Sequence, residues 1–395
     1  MAHTYDAARG FRIQALIYNP DARAIFFQVV ALVLVILVGW MLVTNTLQNM
    51  AAQDIRSGFG FLDNEAGFAI SESLIPYDES STYARAFVVG LLNTLSVAAL
   101  GIVLATVLGV IIGIARLSTN WLVARLASAY VEIVRNIPLL LQLYIWYSVI
   151  TESLPLPRDA INPGLDIYLT NRGVYMPVPA DHWVWPFVLA ALVVGIIAAV
   201  YIRRWAKRVQ DATGEIRPAL WYGLAAIVGL PLLVWLIGGA PTQMDTPALQ
   251  GFNFRGGSVI TPEFTALLLG LTIYTAGFIA EIVRGGILAV SHGQTEAARA
   301  LGLKPVWVLR LVVLPQALRV IIPPTTSQYL NLTKNSSLAV AIGYPDLVSV
   351  GNTTLNITGQ AIEAILIYMS VYLSISLAIS AFMNWYNRAI ALVER

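Results

Sequence analysis

The sequence predicts an all-α integral membrane protein with eight transmembrane helices. Three observations predict it. Charged residues make up 12% of the chain and hydrophobic residues 57%, whereas a soluble domain carries roughly 25% charged residues. Charge-free apolar runs recur at the length of about 20 residues that a helix needs to cross a bilayer core. Basic residues also alternate between the segments joining those runs, which is the pattern that orients membrane helices.

Taken in order, the first run is 24–53, centred on "VVALVLVILVGWMLV". It is about twice as long as the apolar part of a typical signal peptide, and no A-x-A cleavage site follows, so an uncleaved anchor is expected. The second run is 86–115. The third, 121–150, carries Arg125, Glu132 and Arg135 in its first half. The fourth and fifth are 183–202 and 219–240. The sixth is 264–283, the seventh 320–345 is interrupted only by Lys334, and the eighth is 364–387. Segments 54–85 and 152–181 are long and rich in Gly, Pro and Ser, so lids or docking surfaces are both open for them. No internal repeat stands out.

With the N-terminus placed in the cytoplasm, the inner segments 1–23, 116–135, 203–217, 281–319 and 388–395 hold 18 of the 24 Lys and Arg. The outer segments 54–85, 152–181, 245–263 and 346–363 hold 5 basic and 14 acidic residues. "RRWAKR" at 203–208 makes the inner position of its loop firm. The opposite topology would break the rule nearly everywhere. Trp183, Trp185 and Trp385 fit interfacial anchors, and Trp40 is compatible with one.

Several function classes are excluded or disfavoured. A net charge of +2 is too small to indicate nucleic acid. The absence of cysteine removes disulfides, thiolate metal sites and cysteine nucleophiles from this chain. Three histidines far apart in sequence, His3, His182 and His292, argue against a metal centre. Neither a carboxylate pair nor a Ser-His arrangement points to catalysis, so no catalytic residue is expected.

The inner stretch 292–318, "HGQTEAARALGLKPVWVLRLVVLPQAL", is too ordered for a plain connector. Thr295 reads as an N-cap, Glu296 suits the positive end of a helix dipole, and Gly302 stands where a left-handed C-terminal residue is wanted. Pro305 stops direct continuation. A second amphipathic run then holds Val306, Trp307, Leu309, Leu311 and Val312, and Leu314-Pro315 is expected to end it. Two helices lying on the membrane, or a helix that enters a partner's groove, would both explain this.

The pattern E-A-A, three residues, G, nine residues, an aliphatic residue, one more, then L-P resembles the signature loop of ABC importer permeases. It is carried by Glu296, Ala297, Ala298, Gly302, Val312, Leu314 and Pro315, with valine where isoleucine is usual. "YVEIVRNIPLLLQLYIWY" (130–147), "AEIVRGGILAVSHGQTEAARALG" (280–302) and "NLTKNSSLAVAIGYPDLV" (331–348) are similar to the polar-amino-acid uptake permeases, in particular the general L-amino-acid transporter membrane subunits of Gram-negative bacteria. The resemblance implies a five-helix type I core over 86–390, preceded by an anchor helix and periplasmic loop over 1–85. Two helices at about 183–240 are inserted into the core, and 292–315 forms the coupling loop. It implies an importer of L-amino acids of broad range, polar and acidic ones included, in the bacterial inner membrane with both termini cytoplasmic. A separate ATPase subunit carrying ATP and Mg would dock on Glu296–Gly302, beside a second and distinct permease and a periplasmic binding protein. No G-x-x-x-x-G-K-[ST] occurs in these 395 residues, which fits nucleotide binding on another chain.

Lys334 is the residue hardest to leave facing lipid, since a lysine at mid-membrane costs about 2.5–3.5 kcal/mol. With Asn331, Asn335, Ser336 and Ser337 it is a substrate-pathway candidate that would meet a carboxylate. An ion pair or helix cap with Glu281 or Glu363 is the alternative. Pro323-Pro324 should bend this span. Asn93 and Gln142 are further pathway candidates, with helix packing the competing role. Glu132, Arg135, Glu281 and Arg284 are expected to pair with each other or cap helices. An ion-coupled secondary transporter is the alternative function. It would call for inverted repeats and more buried carboxylates, and neither is clear. An intramembrane enzyme or receptor would need a catalytic constellation or a signalling domain, and the sequence offers neither.

Overall fold

The computed structural model describes residues 20–52 and 58–390. Arg9, Arg12, Arg56 and Arg395, which entered the charge count, and His3 lie outside the described residues. Seven helices are long and apolar enough to cross a membrane, or eight if one bent pair is a single span.

The helices are α1 (Pro20–Ala52), α2 (Tyr83–Ala115), α3 (Trp121–Asn136), α4 (Leu139–Ser153), α5 (Trp185–Thr213), α6 (Ala219–Ile237), α7 (Pro262–Leu288), α8 (His292–Ala300), α9 (Pro305–Val308), α10 (Leu314–Asn335), α11 (Leu347–Thr358) and α12 (Ala361–Ile390). The chain divides into two compact units, Met1–Asn93 with Pro345–Leu377, and Thr94–Tyr344 with Ala378–Arg395.

In the first unit, Phe61, Tyr83, Phe87, Leu347, Val350 and Ala364 form the core. Two polar clamps close it. The buried amide of Asn93 donates to the carbonyls of Glu72 (2.8 Å) and Pro345 (2.9 Å). Glu363 accepts the backbone N–H of Gly58 at 2.7 Å. Asp346 caps α11 by accepting from Ser349 N–H at 2.8 Å.

In the second unit α7 is the central helix, buried along most of its length and packed against α3, α4 and α10. Leu143, Leu267, Leu271, Ile279 and Leu332 form its core. Small residues permit this closeness. A Cβ on Gly113 of α2 would lie 2.7 Å from the Ala280 carbonyl and 2.8 Å from Val283.

Three features depart from the expected eight straight spans. The third expected span, 121–150, is two helices, α3 and α4, bent by 106°. Ile137-Pro138 is the cause, because a residue before proline is pushed out of the helical region and proline donates no N–H. The amphipathic run after Pro305 does not end at Leu314-Pro315. A π-helical turn at Leu309–Val313, closed by Leu314 N–H on the Leu309 carbonyl, carries the chain into α10. A π turn is wide enough to take the proline ring without a clash. Pro305–Ile342 is therefore one 38-residue span, and Lys334 falls in its last third instead of at its middle.

The outer segments fold into small antiparallel sheets, which the all-α expectation omits. β1 (Ile161–Gly164), β2 (Ile167–Thr170), β3 (Gly173–Met176) and β8 (Ser258–Ile260) pair in that order. β4 (Val178–Pro179) pairs with β5 (Met244–Asp245), and β6 (Ala248–Gln250) with β7 (Asn253–Arg255). An aromatic cluster holds them, with Phe254 stacked on Tyr168 at 4.4 Å and beside Tyr175 at 5.1 Å. The register Val174↔Ile260 staples the chain before the α5–α6 hairpin to the chain after it.

Candidate functional site

The loop between α7 and α10 is a projecting knob. α8 begins at His292 behind Ser291, one turn earlier than a Thr295 cap would place it, so Thr295 is an internal residue. Glu296, Ala297, Arg299, Ala300 and Gly302 are exposed, and Leu301 is 82% exposed. Only Ala298 is buried in α8.

Gly302 has φ +78°. Gly302 N–H donates to the Arg299 carbonyl at 2.9 Å and Leu303 N–H to the Ala298 carbonyl at 3.2 Å. These two bonds form a Schellman cap around a left-handed glycine. Lys304 is extended and Pro305 opens α9, which turns the chain back toward the membrane. Val308 is buried and Leu314 exposed, while Pro315 takes the first turn of α10. The knob thus offers a large apolar side chain, Leu301, on a ledge of small residues. That combination fits a groove on another protein. The exposed Leu301 and Val306 were not singled out as contacts from sequence; their signal is an aliphatic residue amid polar and small ones in a cytoplasmic-side loop.

Three charges meet beside the inner end of α7. Glu281 accepts from Arg284 at 2.6 Å and pairs with Arg116, the residue that follows α2. Arg116 was missed in the sequence, although it is the first basic residue after the second apolar run. Glu132 and Arg135 make no ion pair among the described residues. Instead, Asn136 donates to the Glu132 carbonyl at 2.7 Å, and the Arg135 guanidinium lies 4.9 Å from the Phe278 ring centroid. Both sit on the last turn of α3, beyond the reach of the α7 pair.

On α10, Ser327, Asn331 and Lys334 are exposed and fall on one face at i, i+4 and i+7. The Lys334 ammonium has no hydrogen-bond or ion-pair partner among the described residues, so the pairing with Glu281 or Glu363 does not form. Ser336 and Ser337 turn their hydroxyls onto the Thr333 and Lys334 carbonyls at 2.7 Å each. Ser336 is buried, and Asn335 half-buried.

Asn93 and Gln142 do not join this face. Asn93 clamps backbone in the other unit, as described above. Gln142 is buried and donates to the Val134 and Ile137 carbonyls at 2.9 and 3.0 Å. Those are carbonyls of the α3–α4 break, so Gln142 replaces a helix bond that Pro138 removes. A cavity of about 320 Å³ lies in the second unit, walled by Thr106, Ile279, Ile321, Tyr329 and Phe382. Its polar feature is the hydroxyl pair Thr106–Tyr329 at 2.9 Å. No group of three or more His, Asp or Glu positioned for a metal occurs among the described residues.

Asp346 lies outside the spans, in the turn before α11. It is fully buried, and burial pushes its carboxyl up to about 7 against the bonds from Ser349 N–H and Tyr372 O–H that oppose the rise.

The family model for the inner membrane component of binding-protein-dependent transport systems matches residues 191–392. The chain is 53% identical to the general L-amino acid transport system permease protein AapQ of Rhizobium johnstonii over 386 residues, which cover 98% of this chain and 96% of that protein. It is 45% identical to the glutamate/glutamine/aspartate/asparagine transport system permease protein BztB of Rhodobacter capsulatus over 418 aligned positions, covering 98% of each. Both similarities run through the knob and the Asn331–Ser337 segment.

Proposed function

This chain belongs to the inner-membrane components of binding-protein-dependent transport systems, and from that premise we propose that it is the permease subunit of an ATP-driven importer of L-amino acids. Polar and acidic amino acids fall within its range. ATP and Mg are bound by a separate ATPase subunit. A second, distinct permease completes the pathway and a periplasmic binding protein delivers substrate. Both termini face the cytoplasm, and the domain over 86–390 carries the transport function, with 1–85 as anchor and outer loop.

The observation that carries this reading is the knob. A rigidly capped, exposed helix bearing Leu301, Ala297 and Gly302 sits in line with α7 on one side and the long α9–α10 span on the other. Coupling requires that a partner contact two states of the permease differently. An ATPase groove that grips Glu296–Gly302 would move α7 and α10 together when it closes.

The polar face of α10 supports the second half of the reading. A bare ammonium with Asn331 and Ser327 on one stripe is costly against acyl chains, so this stripe faces water along the substrate path. Lys334 then meets the substrate α-carboxylate near the outer mouth. Asn331 and Asn335 supply hydrogen bonds to it, and Ser336 and Ser337 shape the backbone beneath.

The test is reconstitution of the chain with its co-purifying subunits in vesicles. Uptake of labelled L-glutamate or L-asparagine is expected to require ATP on the side of the knob and the binding protein on the other. Uptake driven by an ion gradient, with no ATPase co-purifying, rejects the reading in favour of a secondary transporter. Lys334→Met is expected to raise the transport KM about tenfold or more, the value of one charge-assisted hydrogen bond. Substrate loading of the binding protein is unchanged in that variant.

A further inference from the structure

The α5–α6 hairpin meets few other parts of the chain. α5 and α6 pack on each other through small residues, and a Cβ on Gly195 would lie 2.6 Å from the Ala226 carbonyl. Gly195, Ala199 and Ala206 mark that packing face. The opposite face of α5 is exposed throughout, with Val194 and Ile197 open along it.

At its inner end this exposed face changes character. Tyr201, Arg204, Trp205 and Arg208 follow at i, i+3, i+4 and i+7, which places them on one stripe. With Ile202 they line a cleft of about 300 Å³. Arg203, Arg204, Lys207 and Arg208 have no ion-pair partner among the described residues. The nearby Glu215 is taken by Arg217 at 2.8 Å, and the Arg217 guanidinium lies 6.0 Å from the Trp205 ring centroid.

Depth says what meets these cations. From Trp185 at the outer end to Arg203 the helix rises about 27 Å at 1.5 Å per residue, close to the roughly 30 Å of a hydrocarbon core. Arg204 and Arg208 therefore stand at headgroup level, with Tyr201 and Trp205 in the position of interfacial aromatics. Above them, Val194 and Ile197 offer an apolar track within the half-thickness of about 15 Å that one leaflet's acyl chains occupy.

We propose that Tyr201, Arg204, Trp205 and Arg208 form a binding site for the phosphate headgroup of an anionic phospholipid, with an acyl chain lying along Val194 and Ile197. The two guanidiniums, spaced one turn apart, donate to the phosphate oxygens. Trp205 and Tyr201 pack on the glycerol backbone and mark the level of the ester groups. The site pins the inserted hairpin to one leaflet. The proposal needs only that α5 crosses a bilayer, so failure of the importer reading leaves it standing.

The full-length chain, purified with its associated subunits, is titrated with phosphatidylglycerol or phosphatidylcholine, and bound lipid is counted by native mass spectrometry. Phosphatidylglycerol is expected to bind preferentially. R204Q/R208Q is expected to weaken it by about fivefold per charge removed, from the attraction of each basic residue near a membrane surface. R203Q/K207Q removes the same charge from the other flank of the helix and is expected to leave most of the affinity. All four side chains are exposed, so neither variant removes a packing contact. Equal weakening by both double variants overturns the site, because it indicates diffuse attraction. Absence of any preference over phosphatidylcholine overturns it as well. Displacement by inorganic phosphate at millimolar concentration overturns the lipid assignment.

Discussion

Gly302 is where one side chain decides the shape of the knob. Its φ of +78° is left-handed, and a Cβ there would meet no atom within 4 Å. The cost of replacement is therefore conformational: about 1–2 kcal/mol for an ordinary residue in this region, more for a β-branched one. Gly302→Val is expected to loosen the Schellman cap and to lower substrate-stimulated ATP hydrolysis in the purified assembly, while Gly302→Asn keeps most of it. Insertion of the chain, read by cysteine accessibility at introduced loop positions, stays normal in both. Asp346 gives a second test. Its folded-state value of about 7 lies above the ordinary 3.8, so the native chain holds a proton that the unfolded chain releases. The stabilisation present below about pH 4 is lost as the pH rises through about 7. Asp346→Asn can still accept from Ser349 and Tyr372, and its melting midpoint should be flatter with pH over that window; parallel curves for both proteins would count against burial as the cause. Of these positions the sequence revealed the glycine and its turn, because left-handed caps have a local signature. It could not reveal Asp346, whose environment is set by residues such as Tyr372 that are distant along the chain, or assign Asn93 and Gln142 to backbone clamps. A polar residue in an apolar run looks the same whether its partner is a ligand or a carbonyl.

At the scale of elements, the π turn at Leu309–Val313 sets the rotation of everything after it. A π turn holds one residue more than an α turn would. Deleting Val313 should convert it to α-helix and rotate α10 by about 100°. That swings Asn331 and Lys334 off their face, and uptake is expected to be lost although the chain still inserts. Inserting an alanine one turn later should restore the register and part of the uptake. The proline at 315 hid this from sequence reading: a proline is a reliable stop in a regular α-helix, and a locally widened helix removes the clash. The α3–α4 break was hidden for the opposite reason. Ile137-Pro138 was visible, but an apolar run of the right length looked like one span. The small outer sheets were illegible because their strands are two to four residues long and pair across an intervening hairpin.

For the whole molecule, the hairpin is separable. Val184 touches Gly238, so the chain leaves and rejoins at one place. Replacing residues 185–237 by a short Gly-Ser linker is expected to leave the remaining helices inserted and the thermal midpoint within about 4 °C, the equivalent of roughly 1 kcal/mol. A collapse in expression or melting would mean that the hairpin supports the core. The number of membrane helices and the sidedness of the loops were legible in the sequence, since both depend on local hydropathy and on Lys and Arg counts. How the helices pack was not, because close approach at Gly113 or Gly195 depends on which neighbour arrives.

The outer staple also sets an order of assembly. Val174 pairs with Ile260, 86 residues further along, and at about 5–20 residues per second a ribosome needs roughly 4–17 s to supply that partner. α5 and α6 meet much sooner, since only residues 214–218 separate them. For those seconds β3 waits beyond the membrane with one edge unpaired, which makes it the strand most open to a wrong neighbour while the protein is being made.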